Sequence, residues 1–194
     1  MEQRAVMAEA VVDESVIRAC QTGDREAFRQ LFECYKDRVF SIAAYSLGGD
    51  KTAAADVTQQ IFLKLMTSIG QYRGDSAFTT WLYRLVVNAC TDEHRKRRRF
   101  LPFGDSTPTT RIEERKPQEM RYARREKGES IHAAISDLRP KLRMPILLKY
   151  VEDLSYEEIA RVLGISKGTV ASRLNRGHRA LAQKLAHLRN EVSE

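Results

Sequence analysis

Apolar residues recur at helical spacing in two blocks of this chain, separated by a stretch where the pattern dissolves. In the first block Val16, Ile17 and Cys20 begin a short helix at Asp13, and Thr22, Gly23 and Asp24 break it. Phe28, Leu31, Phe32, Tyr35, Val39, Ile42 and Ala43 predict a second helix over 24–47, ended by Gly48 and Gly49. Asp50 caps a third over 50–69, whose buried row is Val57, Ile61, Leu65 and Ile69, joined by Phe62 and Met66 and closed by Gly70. Gly74, Asp75 and Ser76 are turn and cap residues, and a fourth helix starts at Phe78. Its inner seam is Phe78, Trp81, Leu82, Leu85, Val86 and Ala89. Its outer face carries Thr80, Arg84, Asn88, Thr91 and Arg95 and runs on into the basic run 95–99.

Over 100–127 the periodicity stops. Pro102, Gly104, Pro108 and Pro117 interrupt any helix, charges of both signs crowd 111–116, and a patternless stretch this long marks a boundary. The second block begins near Ser130, where Ile131, Ala134, Ile135 and Leu138 form one amphipathic helix with Pro140 in the turn after it. Ile146, Leu147, Tyr150 and Val151 face inward from the next, with Pro145 in its first turn or at a kink. Ser155 and Glu158 then form a capping box, Ile159, Ala160 and Leu163 an inner face, and Gly164 a tight turn. Ser166 caps a last helix with Val170, Leu174 and Leu181 inside. This order is a helix-turn-helix, and its outward residues Lys167, Thr169, Ser172, Arg173, Arg176 and Arg179 are hydrogen-bonding or cationic. The fold class is therefore all-α, two small helical domains over 13–99 and 128–190 joined by a flexible linker over 100–127.

Charge sharpens this picture. The 194 residues carry a net charge of +7, which favours a polyanionic partner such as nucleic acid, with an acidic membrane surface as the rival. No run of about 18 apolar residues is present to span a membrane, and the first residues lack the pattern of a secretory signal. The three cysteines are far apart and without metal-ligand neighbours, as expected of reduced thiols in a cytoplasmic protein. Phosphate-cradling glycine loops, paired histidine ligands and nucleophile–base spacings are missing, so the sequence predicts no cofactor, no metal and no catalytic residues.

Two strings carry a family resemblance. DVTQQIF, within which Asp56, Gln59, Gln60 and Leu63 form a stripe separate from the buried row, would by itself read as a solvated helix edge. RGDSAFTTWLYRLVVN combines aromatics, which stack on unpaired bases, with cations that hold a backbone. Together with the helix-turn-helix they resemble the bacterial sigma factors of the extracytoplasmic-function type, in the order clamp docking, melting, linker, upstream reading. The resemblance implies that Asp56, Gln59, Gln60 and Leu63 dock on the clamp helices of the largest subunit of core RNA polymerase. The second-largest-subunit flap is the other implied polymerase contact. It places Tyr72, Phe78, Trp81, Arg84, Asn88 and Arg95 at the −10 element, with Tyr72 stacking on a flipped base and Asn88 contacting its edge. Lys167, Thr169, Ser172, Arg173 and Arg176 fall at the −35 element. An anti-sigma factor is a further implied partner. Gly177 stands where the family pattern leads one to expect alanine, which weakens the helix by up to about 1 kcal/mol. A stand-alone helix-turn-helix regulator with a sensor or dimerisation domain is the competing class. It accounts for the second block and leaves the two strings of the first without a reason.

Overall fold

The computed structural model describes residues 12–100, 128 and 130–186, and the regular structure among these residues is helical. The order is α1 (Glu14–Gln21), α2 (Arg25–Ser46), α3 (Lys51–Ser68), a 3₁₀ turn (Ile69–Gln71), α4 (Phe78–Phe100), α5 (130–136), α6 (Pro140–Tyr150), α7 (Tyr156–Leu163) and α8 (Lys167–Lys184). The expected linker falls outside the described residues except at its first position.

Capping explains where the first helices begin. Asp13 accepts from the Ser15 amide, Asp24 from Glu26 and Ala27, and Asp50 from Ala53, each satisfying an otherwise orphaned helical N–H. The Ala53 amide, with help from Arg97, holds the Asp50 carboxyl below the usual carboxylate range. Leu31, Tyr35, Val39 and Ile42 of α2 meet Val57, Ile61 and Leu65 of α3 and Leu82, Val86 and Cys90 of α4, all essentially inaccessible. Full burial of one such side chain is worth about 1.5–3 kcal/mol, so this seam is what holds α4 in place. Burial also pushes the Cys90 thiol up to about 11, which makes it an inert core group.

Several expected faces are rotated in the structure. Met66 points outward and is 55% exposed, because the i, i+4 row from Val57 already fills the seam. Ile131, Tyr150 and Val151 are exposed, and the buried stretch of α6 is instead 143–148. Pro140 is the first residue of α6 rather than a turn residue, and Pro145 lies inside that helix. In α7 the buried pair is Ile159 and Val162, with Ala160 and Leu163 packed at the margin.

The two blocks are not separate bodies. Their buried side chains join one hydrophobic cluster, with α4 against α7 and α2 against α6. The Tyr83 hydroxyl donates to the Glu152 carboxylate across this contact. Burial raises the affinity of both groups for their protons, Tyr83 most strongly. The Arg143 guanidinium is buried and donates to the carbonyls of Ser46, Ser136 and Leu138, the last at 2.8 Å. Ser46 ends α2, so a cation here also meets the negative end of a helix dipole. Tyr45 and His132 stack with ring centroids 4.5 Å apart.

Candidate nucleic-acid interface

α3 holds its polar stripe in place by burying the opposite side. Asp56, Gln59, Gln60 and Leu63 are all exposed, with Leu63 at 54%. The stripe splits between two neighbours. Gln59 and Leu63 border a groove of about 480 Å³ between α2 and α3, floored by Phe28, Phe32, Phe40 and Phe62. Gln60 looks the other way, toward Leu85, Asp92 and Lys96 of α4. The groove was missed at the level of sequence, where Phe28 and Phe32 read as core. The available signal was an excess: α2 carries more large apolar residues than one seam can bury.

At the start of α4 the Ala77 carbonyl accepts from Thr80 and Trp81, so the helix is entered through the backbone of Ala77. The loop before it turns through Gly74, whose φ of 79° is a conformation that favours glycine. Tyr72 closes this loop by donating from its hydroxyl to the Ser76 carbonyl at 2.7 Å. Its ring is half-buried, 5.5 Å from Phe78 edge-on and 5.8 Å from Trp81. Phe78 is only 6% exposed and also meets Tyr35, so it backs the aromatic group from the core and offers no free face for a base. Thr80 is likewise buried at 2% and leaves the expected outer row.

The rest of that row is outside: Arg84, Asn88, Thr91 and Arg95 are exposed. Asn88 lies seven residues past Trp81, about 10 Å along the helix axis. Arg95 pairs with Asp92 at 3.5 Å, and Arg97 is tied to Asp50 at 2.9 Å and Glu93 at 3.0 Å. Arg84 is engaged across the domain contact, its Nε donating to the Arg161 carbonyl of α7 at 2.9 Å. The cationic row and the second domain therefore compete for the same side of α4.

The helix-turn-helix is built as its sequence implies. Ser155 and Glu158 form a reciprocal capping box, and those hydrogen bonds lower the Glu158 pKa. Gly164 ends α7 with a φ of 63°. Ser166 caps α8 by accepting from the Thr169 amide, and the two hydroxyls share a hydrogen bond of 2.8 Å. Thr169 is thus half-buried in the cap and is the least available of the expected contacts. Lys167 pairs with Glu157 of α7, whereas Ser172 and Arg176 are exposed and Arg173 half-exposed. Gly177 proves to be a packing residue. A Cβ there would come within 3.0 Å of Ile146 Cγ1, so its absence lets α8 close on α6.

Among the described residues no helix is long and apolar enough to cross a membrane.

Comparison with known proteins places these elements. A family model described as Sigma-70 region 2 matches residues 31–100, and one described as Sigma-70, region 4 matches 128–181. The chain is 32% identical over 188 residues to the RNA polymerase sigma-H factor of Pseudomonas aeruginosa, covering 93% of this chain and 97% of that one. It is 32% identical over 191 residues to the ECF RNA polymerase sigma-E factor of Escherichia coli K12, covering 94% and 98%. Two solved structures share the fold. CnrH in complex with the cytosolic domain of CnrY aligns at a TM-score of 0.67 and 24% identity, over 90% of this chain and 97% of that one. The sigma factor RpoE in complex with the anti-sigma factor NepR from Bartonella quintana aligns at 0.64 and 21%, over 83% and 98%.

Proposed function

The chain belongs to the sigma-70 family of RNA polymerase sigma factors, in its extracytoplasmic-function branch, and from that membership we propose how its exposed faces divide the work of promoter-specific initiation. Region 2, over 13–99, joins core polymerase through Asp56, Gln59, Gln60 and Leu63 on the largest-subunit clamp helices. It then captures the melted −10 strand with Tyr72, Trp81, Arg84, Asn88 and Arg95. Region 4, over 128–190, reads the −35 element with α8 and meets the second-largest-subunit flap, while 100–127 links the two. An anti-sigma factor is the expected further partner, as NepR is for the sigma factor RpoE of Bartonella quintana.

The observation that carries this reading is that α3 and α4 each bury one seam and leave a polar face exposed, in the chain order that docking and melting require. The chain itself supplies recognition, and the polymerase supplies the catalysis.

The reading is tested by docking. Replacing Asp56 and Gln59 together with alanine touches two exposed side chains, so the folded state should lose no more than about 0.5 kcal/mol for each. Affinity for core polymerase, measured by titration of the labelled chain, should fall strongly. Wild-type affinity in the double variant would remove α3 as the docking helix.

Upstream reading is tested on α8. Arg173 and Arg176 lie on its outward side, and arginine grips either a guanine edge or a phosphate. Arg173→Ala and Arg176→Ala are each expected to weaken binding to a cognate −35 element. A base contact is worth about 1–3 kcal/mol of discrimination, whereas loss of a phosphate contact weakens all sequences alike and flattens the salt dependence. If neither substitution changes binding, α8 has been given the wrong face.

A further inference from the structure

The loop that carries Tyr72 hangs on a residue outside the segment that matches the region 2 model, which begins at residue 31. Gln21 is the last residue of α1. Its Nε2 donates to two backbone carbonyls, that of Ile69 at 3.2 Å and that of Tyr72 at 2.8 Å. Both acceptors are backbone oxygens, so the amide must face them with its NH₂, and the two hydrogens of that one nitrogen serve one carbonyl each. The two carbonyls span the 3₁₀ turn, from its first residue to its C-cap, where the chain leaves regular structure for the loop. The Tyr72 hydroxyl fastens the far side of the loop to Ser76. Tyr72 is therefore pinned at both ends, by its own side chain to the loop and by its backbone to α1.

We propose that Gln21 is a positioning residue for promoter opening: it fixes the backbone of Tyr72 so that the ring stands ready for the flipped −10 base. The inference rests on the proposed role of Tyr72 in base capture. Its physical content is preorganisation. A ring held by two backbone anchors gives up little freedom when a base stacks on it, whereas a ring on a loose loop must be ordered at the moment of opening. Stacking on an aromatic ring is sequence-tolerant, so Gln21 affects how fast and how far the strand opens, with no change in which promoter is chosen.

Gln21→Met keeps the length of the side chain and removes both donors. Gln21→Glu keeps the shape and turns a carboxylate toward two carbonyls. Each is tested in holoenzyme reconstituted with core polymerase, with permanganate reactivity of unpaired thymines reporting opening. Losing the two hydrogen bonds should lower the rate of opening on a duplex promoter roughly three- to tenfold. Core affinity and closed-complex formation should stay at wild-type levels, and a template already mismatched over the −10 region should restore most of the loss. In a Tyr72→Ala background, Gln21→Met should add nothing further, because there is no ring left to position.

Trp81 gives a second readout in the isolated chain. It is the single tryptophan and lies 5.8 Å from the Tyr72 ring, so its emission should shift when the Gln21 bonds are lost. Wild-type opening by Gln21→Met overturns the proposal, as does a defect that adds in full to that of Tyr72→Ala. A loss traced wholly to weaker core binding or a lower melting temperature assigns Gln21 to folding and overturns it as well. If Tyr72→Ala itself opens like wild type, base capture by Tyr72 is what fails. A Trp81 shift in Gln21→Met would then leave Gln21 as a loop clamp with no part in opening, which also overturns the inference.

Discussion

Tyr72→Ala is expected to slow open-complex formation on duplex promoters by roughly five- to 150-fold, the worth of about 1–3 kcal/mol of base–aromatic stacking. Unstacking a base from the duplex costs a few kcal/mol, and the ring is placed to return part of it. Its face is half-open, and its back is supported by Trp81 and the buried Phe78. Tyr72→Phe separates two contributions. It keeps the ring and loses only the hydroxyl bond to the Ser76 carbonyl, so it should slow opening by only the few-fold cost of one anchor, well short of the Tyr72→Ala defect. Asn88→Ala removes an exposed amide with both a donor and an acceptor for a base edge, and it should slow opening without changing core binding. A template mismatched over the −10 region should rescue part of the Tyr72→Ala defect, because the opening cost has been met in advance. Wild-type permanganate reactivity in both alanine variants on the duplex template would place base capture elsewhere.

The largest expected loss of stability comes from Arg143→Met. Arg143 is 7% exposed, and its guanidinium bonds the carbonyls of Ser46, Ser136 and Leu138. Those of Ser46 and Ser136 sit at the ends of α2 and α5, where a helix has no partner of its own for them. Methionine refills most of the volume and leaves the carbonyls buried and unpaired, at about 1–3 kcal/mol each. Chemical denaturation should show a stability loss of about 3 kcal/mol or more, reduced by whatever water reaches the gap. Because Ser46 belongs to region 2 and Arg143 to region 4, the same change should loosen the packing of the two regions and raise the radius of gyration in solution scattering. Arg143→Lys keeps the charge without the fork of donors and should recover part of both. A methionine variant with wild-type midpoint and wild-type scattering would show that the guanidinium contributes nothing net to either.

Exposure of the proposed −10 face is tied to that packing. Arg84 already donates to the Arg161 carbonyl, and Tyr83, one residue earlier, to Glu152. A state in which Arg84 meets DNA must give up the first of these bonds. The desolvated Glu152 carboxyl has one oxygen buried without a hydrogen-bond partner in the protein.

Local chemistry made much of the molecule legible from the sequence. Three helix starts followed from single capping residues, Asp50, Ser155 and Ser166, because one side-chain oxygen two or three residues from an orphaned amide is enough to set a boundary, while Asp13 and Asp24, read only as a pattern start and a break, are caps in the structure as well. The inner seams of α2, α3 and α4 were legible from the helical period, which put Leu31 to Ile42, Val57 to Leu65 and Leu82 to Val86 on buried faces. The polar stripe of α3 and the outer row of α4 from Arg84 onward were readable for the same reason.

What period could not decide was which of two apolar faces is buried when a helix has more than one. Phe28, Phe32 and Met66 went to an open groove, and Thr80 left the polar row for the core, because the neighbour that covers a face is set by how three helices cross. Gly177 looked like a helix defect until Ile146 was placed beside it. Gln21, Arg143 and Glu152 have no pattern at all in the sequence. Each is a polar residue whose role depends on groups 48 to 97 positions away, or 69 for Glu152, and only the folded chain brings those carbonyls and hydroxyls within hydrogen-bonding reach. The sequence by itself determined the helices, their caps and the exposed faces that mark the family; the tertiary structure alone decided how the two regions close on each other, because that contact is made of side chains with no local periodicity to betray them.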